Sequence, residues 1–447
     1  PPWNKTMMVS GMFSRPDAMN IAMKSQPGRS LQQIIDEYEL LYYEEGLDAT
    51  VAVRRKKNSV SSQRTLVING KADASSSGDM PTQVLLAQLP LALNREIENA
   101  LVIGLGSGIT AGSLATSESL KTLTILEISD EVVEAAAFFE PENYGVLANP
   151  KVKLVTADAR NYLMASPENY DLIVSEPSNP WISGISNLFT AEFLQLAKER
   201  LNTGGIMTQW FHIYSMSEAD LKTMLKTFSD NFKYVSVWRI QPGDLALIGS
   251  DQPHALSLRY ATRDGAEELA RAQIHNDRDL VGLYVFGGDD LSRYSKGAST
   301  NSDNTPVVEF NAPRNLYSLT EDENMDHIFD YLQGRKQVVP MVDMVAQSGD
   351  YLGALFMALK IAGKGTTFSQ VSSTWMIDRQ LLNINGVSVP GMGSERLLAW
   401  TEGTDRIQIR AVLLTNTKTQ QSLEDLLNQL TSSTGRPGGK IKLGDGT

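Results

Sequence analysis

The sequence contains no cysteine and only four histidines, and both scarcities narrow the chemistry open to it. Without cysteine there are no disulfides, no thiolate metal ligands and no cysteine nucleophile. The histidines are scattered without the spacing of metal ligands, which argues against a structural metal. We therefore expect no metal cofactor. The four positions are His212, His254, His275 and His327.

Long apolar runs and an excess of positive charge are also missing. No run reaches the roughly 18 apolar residues that a membrane span requires. The formal net charge of −12 argues against nucleic-acid binding and tolerates a cationic substrate. The chain begins Pro1-Pro2-Trp3 without a signal-peptide pattern, which indicates a processed chain or a fragment of a larger protein. A hydrophobic content of 42% is typical of a globular protein with a core.

A glycine-rich turn stands between a predicted strand and a predicted helix. Residues 101–103 are apolar without alternation, as in a buried parallel strand. Gly104, Gly106 and Gly108 follow directly. Glycines permit a sharp turn, the close approach of a ligand and free N–H groups at a helix start.

A second predicted strand, residues 122–127, ends in Glu127, about twenty residues after the glycines. An acid at this spacing accepts hydrogen bonds from ribose hydroxyls. The turn has the form GxGxG rather than GxGxxG, which suits ligands of the S-adenosylmethionine type because they carry no pyrophosphate. The pattern therefore predicts a nucleoside site.

Strands and helices alternate along the middle of the chain, which predicts an α/β fold with a mainly parallel sheet. A predicted hairpin over residues 234–249 closes the series, as in the seven-stranded, Rossmann-like fold of S-adenosylmethionine-dependent methyltransferases. A small antiparallel β unit is predicted over residues 30–72, followed by a polar loop over residues 73–79. Gly204 and Gly205 are predicted to end a helix over residues 190–201.

We expect four parts along the chain. Residues 1–95 form an N-terminal segment and β-hairpin unit with a substrate loop, and residues 96–250 form the Rossmann-like nucleoside-binding catalytic domain. Residues 251–335 form a helical and loop extension that closes the site, and residues 336–447 form a mostly helical C-terminal domain of unknown role. In the last part, residues 338–362 have a helical pattern, and the composition from Gly435 onwards is typical of disorder.

Polar residues follow the predicted strands at the points where the strands end. In an open α/β sheet the ligand lies across these carboxyl ends. We expect the glycine turn to contact the amino-acid part of a nucleoside donor or the surroundings of its sulfonium, Glu127 its ribose and Asp158 its adenine amino group. Glu176 follows the fourth strand, where an acceptor would meet the donor.

The order of these motifs resembles the spermidine synthase (polyamine aminopropyltransferase) family. The resemblance covers roughly residues 38–315. The sequences Ser-Glu-Pro-Ser-Asn-Pro-Trp and Asn-Thr-Pro-Val-Val-Glu-Phe-Asn-Ala-Pro-Arg are closer still to the synthase-like domains often fused to membrane transporter segments. The motifs that carry the resemblance are at residues 66–70, 83–90, 103–108, 127–129, 157–159, 171–181, 187–190 and 304–314.

The resemblance implies the transfer of an aminopropyl-type group to an amine, with release of 5′-methylthioadenosine. The donor would be S-adenosylmethionine or its decarboxylated form, and Glu176 would be the catalytic base. The implied donor-binding residues are Gly104, Gly106, Ser107, Gly108, Glu127, Ile128, Asp158, Ala159 and Gln83. The implied substrate-binding residues are Asp73, Asp79, Asn179 and Trp181.

Five positions depart from the family pattern. Ser107 stands where the synthases have the aspartate that holds the donor's amine, and Glu176 replaces their catalytic aspartate. Asn179 replaces a second aspartate, Asp73 a glutamine, and Thr82 a tyrosine. Ser107 lacks a carboxylate that would repel the carboxylate of intact S-adenosylmethionine. We therefore hypothesise that the donor is ordinary S-adenosylmethionine rather than its decarboxylated form.

Other polar and aromatic residues lie just past strand ends or in later loops. Trp181, Tyr214 and His212 are predicted to line the acceptor pocket, with a purely structural role as the equal alternative for His212. Asp303, Glu309 and Arg314 fit an ion-paired surface loop better than a cover over the site.

Two other functions stay open. A small-molecule methyltransferase is favoured by Ser107 and by the sequence Asn179-Pro180-Trp181, and a non-catalytic nucleoside- or polyamine-binding domain is the third interpretation. The resemblance implies a homodimer built through the N-terminal β units and a membrane transporter segment in the full-length protein. We expect a cytoplasmic location, with the soluble domain of a membrane-associated protein as the alternative.

Overall fold

The structure is a computed structural model. It describes residues 4–11, 30–57, 63–94, 97–182, 184–254, 260–262, 264–275, 279–280, 282–332, 399–403 and 406–410. The helical pattern predicted over residues 338–362 and the tail from Gly435 lie outside the described residues. Of the predicted C-terminal domain, a two-stranded antiparallel pair is described, β13 (Ala399–Gly403) and β14 (Arg406–Arg410).

The N-terminal part forms a four-stranded antiparallel sheet that follows chain order. Its strands are β1 (Tyr38–Glu45), β2 (Thr50–Lys56), β3 (Arg64–Ile68) and β4 (Lys71–Ser75). In the described residues before it lie the short helices α1 (Lys5–Met8) and α2 (Leu31–Ile35). Ser30 caps α2, where Ser30 and Gln33 form a reciprocal capping box.

The predicted polar loop over residues 73–79 is wrong in its first part, because β4 continues to Ser75. Asn69 and Gly70, with φ of 48° and 78°, form the tight turn that returns the chain along β3. Val67 pairs with Ala72 and Leu66 with Ala74, so Asp73 is an extra residue in β4. Such a bulge redirects a side chain, and here it affects a predicted substrate-binding residue.

The central sheet has eight strands in the order β12-β10-β11-β9-β8-β5-β6-β7. Strands β9, β8, β5, β6 and β7 are parallel to one another. Strands β10, β11 and β12 are each antiparallel to their neighbours in this sheet. The eight strands are β5 (Asn99–Ile103), β6 (Thr122–Glu127), β7 (Val152–Thr156), β8 (Tyr170–Ser175), β9 (Leu201–His212), β10 (Tyr234–Gln241), β11 (Asp244–Ser250) and β12 (Tyr284–Gly287).

This topology confirms the predicted methyltransferase-like α/β fold and extends its sheet. The eighth strand, β12, pairs antiparallel with β10 and comes from the region predicted to hold only helices and loops. Its four residues are too few to give a strand pattern in the sequence, and the pairing with β10 stabilises them.

Helices cover both faces of the central sheet, and each face has its own apolar core. The helix α3 (Met80–Leu93) is buried around its whole circumference from residue 82 to residue 93, as a helix enclosed in a core must be. The others are α4 (Ile109–Ala115), α5 (Asp130–Ala136), α6 (Glu140–Asn143), α7 (Ala159–Ala165), α8 (Ala191–Glu199), α9 (Glu218–Asn231), α10 (Ala266–Arg271), α11 (Gly288–Tyr294), α12 (Val307–Asn311) and α13 (Glu321–Leu332).

The prediction that Gly204 and Gly205 end a helix is wrong. The helix α8 ends at Glu199, and both glycines lie inside β9. A Cβ at Gly205 would lie 2.9 Å from the carbonyl oxygen of Asn202 and 3.1 Å from that of Tyr170. The glycine therefore permits the irregular start of the β8–β9 pairing.

Across the ranges that the structure describes, no helix is both long and apolar enough to cross a membrane.

The contact between Gly104 and the end of β8 predicts a difference between two alanine substitutions. Gly104 has a φ of 92°, and a Cβ there would lie 2.7 Å from the backbone oxygen of Glu176. Gly106 has a φ of 53° and no atom within 4 Å of an added Cβ. We expect Gly104→Ala to lower the free energy of unfolding by roughly 3 kcal/mol and Gly106→Ala by about 1 kcal/mol. Urea unfolding measures both, and equal losses would show that the contact has no cost.

Candidate active site

The glycine turn and the end of β6 are held together by Glu127. Its carboxylate accepts backbone hydrogen bonds from Leu105 at 2.9 Å, Ile128 at 2.9 Å and Ser129 at 3.1 Å. Burial raises the pKa of Glu127, and these backbone donors oppose the rise. Ile128 beside it is 49% exposed, as a surface for a flat ring would be. The contact of Glu127 with a ribose remains a prediction.

Ser107 and Gln83 are both buried, and they connect the turn to the N-terminal sheet. The Ser107 hydroxyl donates to Oε1 of Gln83, and Nε2 of Gln83 donates to the backbone oxygen of Ser75 at 3.0 Å. The Thr110 hydroxyl oxygen lies 3.0 Å from the backbone oxygen of Gln83. The Gln83 side chain is thus bonded at both ends within the protein. It positions Ser107, and its contact with a donor remains a prediction.

Asp158 and Ala159 lie where α7 begins. The Asp158 side chain accepts a hydrogen bond from the backbone N–H of Asn161 at 2.8 Å and so caps this helix. Ala159 is buried. The cap holds both residues at the carboxyl edge of β7, as the predicted adenine site requires, and the adenine contact itself remains a prediction.

Glu176 directly follows β8 and receives a hydrogen bond from the Thr110 hydroxyl at 2.5 Å. Its backbone N–H donates to the carbonyl oxygen of Ile103 at 3.0 Å, which fixes the residue against β5. Burial raises the pKa of Glu176 to about 7, with further increases from Asp244 and Asp79 and an opposing effect from Thr110. A carboxyl group with this pKa exchanges its proton near neutral pH.

Asp244 is an acid of the same site that the sequence did not reveal. It opens β11 opposite His212 of β9, and its Oδ2 accepts a hydrogen bond from Thr82 at 2.7 Å. Burial raises the pKa of Asp244 to about 7, and the charge of Asp79 adds to the rise. In the sequence this aspartate follows Pro242-Gly243 and has the pattern of an ordinary hairpin turn. The signal that could have identified Asp244 as a site residue is its position beside the carboxyl end of β9.

Two further carboxylates, Asp73 and Asp79, lie on the N-terminal side of Glu176 and Asp244, and the region bordered by these four acids is called the cleft below. Burial raises the pKa of Asp79, which directly precedes α3. Asp73 accepts a hydrogen bond from the Ser178 hydroxyl at 2.7 Å, so β4 is bonded to the segment that follows Glu176. Lys71 forms an ion pair with Asp73 at 2.5 Å and was not predicted as a site residue. In the sequence Lys71 stands between the turn residue Gly70 and Ala72, and neither neighbour indicates a ligand-binding residue.

An aromatic group lies beside these acids. Trp181 contacts the His212 ring edge-on with ring centres 4.6 Å apart, and Tyr214 lies on the same ring at 4.5 Å. Nδ2 of the buried Asn179 donates to the Tyr214 hydroxyl at 3.1 Å. Burial lowers the pKa of His212 to about 3, which keeps the ring neutral. The neutral, fully buried ring favours the structural alternative for this histidine.

Asp303, Glu309 and Arg314 are bonded elsewhere. Asp303 forms two hydrogen bonds with Arg160, at 2.8 and 2.5 Å, between a loop and α7. Glu309 accepts a hydrogen bond from the Ser186 hydroxyl at 2.6 Å, and Arg314 donates to Asn311. This arrangement has the character of the ion-paired loop favoured from the sequence.

The structure therefore brings four carboxylates and one lysine together at the carboxyl edge of the sheet, next to the glycine turn. The electrostatic field of Asp244 and Asp79 acts on Glu176, and that of Asp73 and Lys71 acts on Asp79. Carboxylates in a sparsely hydrated cleft attract ammonium groups and can remove a proton from one of them. Across the described ranges, no group of three or more potential ligands for a metal ion is present.

Fold and site together define a methyltransferase-like α/β domain with an acidic cleft at the carboxyl edge of its parallel strands. Residues 80–242 match the family described as Spermine/spermidine synthase domain. The polyamine aminopropyltransferase of Buchnera aphidicola subsp. Schizaphis graminum is 24% identical over 177 residues, which are 39% of this chain and 62% of that protein. The spermidine synthase of Schizosaccharomyces pombe is 26% identical over 210 residues, 45% of this chain and 70% of that protein.

The polyamine aminopropyltransferase of Clostridium botulinum is 29% identical over 141 residues, 30% of this chain and 49% of that protein. The chain thus spans 62% of the length of the Buchnera protein and 49% of the length of the Clostridium protein. Among solved structures, a spermidine synthase in complex with the transition-state analogue AdoDATO matches with a TM-score of 0.50 at 16% identity, over 57% of this chain and 88% of that one. This likeness shows the fold, and the sequence matches support the predicted spermidine synthase family for this region.

The raised pKa of Glu176 predicts a pH-dependent change in stability. The pKa is 4.5 in the unfolded chain and about 7 in the fold, so the folded protein binds more protons between these values. Stability therefore falls as the pH rises through this window. We expect the stability of Glu176→Gln relative to the unsubstituted protein to increase by up to about 3 kcal/mol between pH 5 and pH 8.

Urea unfolding at the two pH values measures this change. Glu199→Gln, at an exposed position of α8, is the matched control and should show no such trend. A constant difference between Glu176→Gln and the unsubstituted protein at both pH values would contradict the assignment of a buried, protonated carboxyl.

Proposed function

We propose that this chain is an aminopropyltransferase that moves an aminopropyl-type group from a donor of the S-adenosylmethionine type to an amine. The observation that carries the proposal is Glu176, a carboxyl group with a pKa of about 7 beside the glycine turn and inside a cleft of further carboxylates. The spermidine synthase family match over residues 80–242 supports it, as do the names of the relatives.

The reaction needs one proton transfer and one substitution. An acceptor amine is protonated at neutral pH, and Glu176 takes one proton from it. The free electron pair of the amine then attacks the methylene carbon beside the donor's sulfonium. A new C–N bond forms while the C–S bond breaks, and its electron pair passes to sulfur. The donor leaves as neutral 5′-methylthioadenosine, and the proton on Glu176 passes to solvent.

The neighbours of Glu176 have separate roles in this proposal. Thr110 orients the carboxylate, since its hydroxyl donates to Oε2. Asp79 and Asp244 hold a second ammonium group of the acceptor, and Asn179 and Trp181 line its path. The donor lies along Gly104, Gly106, Ser107 and Gly108, with its nucleoside against Glu127, Ile128, Asp158 and Ala159, and Gln83 supports Ser107 from behind.

Substitution of Glu176 tests the assignment of the base. Glu176→Gln keeps the size of the side chain and removes its ability to accept a proton. We expect the rate of 5′-methylthioadenosine release to fall by about 10²–10⁴-fold. Mass spectrometry of the nucleoside product, with a panel of amines, measures this. The exposed Glu199→Gln should retain the full rate. Nucleoside binding without turnover by any amine would favour a non-catalytic binding domain.

Methyl transfer is a second candidate, and the specific observation that favours it is Ser107. Its hydroxyl is buried and bonded to Gln83, so no carboxylate stands where the synthases hold the donor's amine. A methyl transfer would leave S-adenosylhomocysteine, whereas an aminopropyl-type transfer leaves 5′-methylthioadenosine. The same product analysis therefore distinguishes the two reactions.

The state of the donor's carboxyl group can be tested at the same residue. Decarboxylated S-adenosylmethionine would supply an aminopropyl group, and the intact molecule its carboxylated counterpart. On the hypothesis that intact S-adenosylmethionine binds, Ser107→Asp should weaken that binding about tenfold through repulsion between carboxylates, while the neutral Ser107→Asn should weaken it less. Calorimetry with both nucleosides measures this. Binding of the decarboxylated form alone to the unsubstituted protein would refute the hypothesis.

We also propose the four-part organisation expected from the sequence, a homodimer through the N-terminal sheets, and a cytoplasmic domain that belongs to a membrane-associated transporter protein. The likeness of residues 171–181 and 304–314 to transporter-fused domains supports the last point. Sedimentation of the purified chain tests the dimer, since a monomer at micromolar concentration would exclude it.

A further inference from the structure

Lys71 is a fixed cation inside the acidic cleft. Its Nζ lies 2.5 Å from Oδ1 of Asp73 and also donates to the backbone oxygen of Ala72 at 3.1 Å. The side chains of Lys71 and Asp73 are 12% and 10% exposed. The Ser178 hydroxyl donates to the same Oδ1 at 2.7 Å, so the pair is held from two sides. A lysine in this setting is not a solvated surface charge.

The ion pair belongs to the same group of charges as the carboxylates. The Asp73 carboxylate accepts a hydrogen bond from Ser178, two residues beyond Glu176, so the pair lies next to the segment that holds the base. The charges of Lys71 and Asp73 act on Asp79, and that of Lys71 also acts on Asp244. Within the described part of the chain, the buried Oδ2 of Asp73 has no hydrogen-bond partner. A donor supplied by a ligand or a water molecule would satisfy this oxygen.

We propose that Lys71 determines acceptor specificity by neutralising the Asp73 side of the cleft, so that the site selects amines whose far end carries a neutral hydrogen-bond donor rather than an ammonium group. This inference rests on the proposed function, and it names the substrate class of that same site: short amines with at most two cationic nitrogens.

The physical argument compares the two kinds of far end. A hydroxyl group can donate to Oδ2 of Asp73 and satisfies a buried oxygen without adding charge. An ammonium group would make the same hydrogen bond beside the ammonium of Lys71, because Asp73 is already paired. Two like charges in a partly buried site repel each other strongly. Lys71 is thus a repulsive element against longer polycations, and such elements are a common source of specificity.

Calorimetry in the presence of 5′-methylthioadenosine tests the proposal with a matched pair of probes. The probes are bis(3-aminopropyl)amine and its analogue in which one terminal amine is replaced by a hydroxyl group. We expect the unsubstituted protein to bind the hydroxyl analogue about tenfold more tightly than the triamine. In Lys71→Met, which keeps the apolar stem and removes the charge, we expect the preference to reverse. Lys71→Arg retains the charge and should retain the preference.

A double variant keeps the test valid if Lys71→Met leaves an unpaired buried carboxylate that prevents folding. Lys71→Met with Asp73→Asn removes both charges, and it should bind the two probes with similar affinity. An equal change for both probes in Lys71→Met, a preference of the unsubstituted protein for the triamine, or no binding of either probe would each overturn the proposal. Failure of the proposed function is seen separately, as the absence of 5′-methylthioadenosine release with every amine.

Discussion

The burial of four carboxylates at one edge of the sheet is the constraint on which the site depends. Moving an ionised carboxylate out of water costs several kcal/mol unless it is paired or protonated. The fold offsets this cost with donors from other elements: Thr110 for Glu176, Thr82 for Asp244, and Lys71 with Ser178 for Asp73. Protonation lowers the remaining cost, because a neutral carboxyl group is easier to bury than a carboxylate. Burial accordingly raises the pKa of Glu176 and of Asp244. A cationic ligand would lower that cost, which is the physical reason for proposing an amine as the acceptor.

The residues of this cleft come from two regions with different relations to known proteins. Glu176 and the glycine turn lie within residues 80–242, which match the spermine/spermidine synthase domain. Lys71 and Asp73 precede that range, and Asp244 follows it. The groups that would act on the donor therefore lie in the matched part, whereas much of the surface facing an acceptor lies outside it. The family match thus covers the proposed donor residues more fully than the proposed acceptor residues.

The sequence was sufficient to predict most strands of the central sheet and the positions of the glycine turn and of the acids at the strand ends, because these depend on local patterns. Apolar runs, caps such as Ser129 and Ser217, and acids at strand ends are visible residue by residue. Asp244 and Lys71 were not found, because each becomes a site residue only when a hairpin places it beside a distant strand. The strand identity of β4 was missed for a related reason, since a bulge disrupts its alternation and leaves Asp73 with a loop-like pattern. Pairing across the sheet, rather than composition, determines these three features.

The extra residue in β4 determines how a one-residue deletion would change the cleft. Because Asp73 is the extra residue, its deletion would leave Ala72 paired with Val67 and Ala74 paired with Leu66 in a regular ladder. Alanines flank Asp73 on both sides, so such a deletion would remove the carboxylate and leave only small neutral side chains at this point. Lys71 would then face the acids without its partner. A single-codon deletion in a short hairpin could thereby alter the charge of the ligand site and leave the catalytic strands untouched.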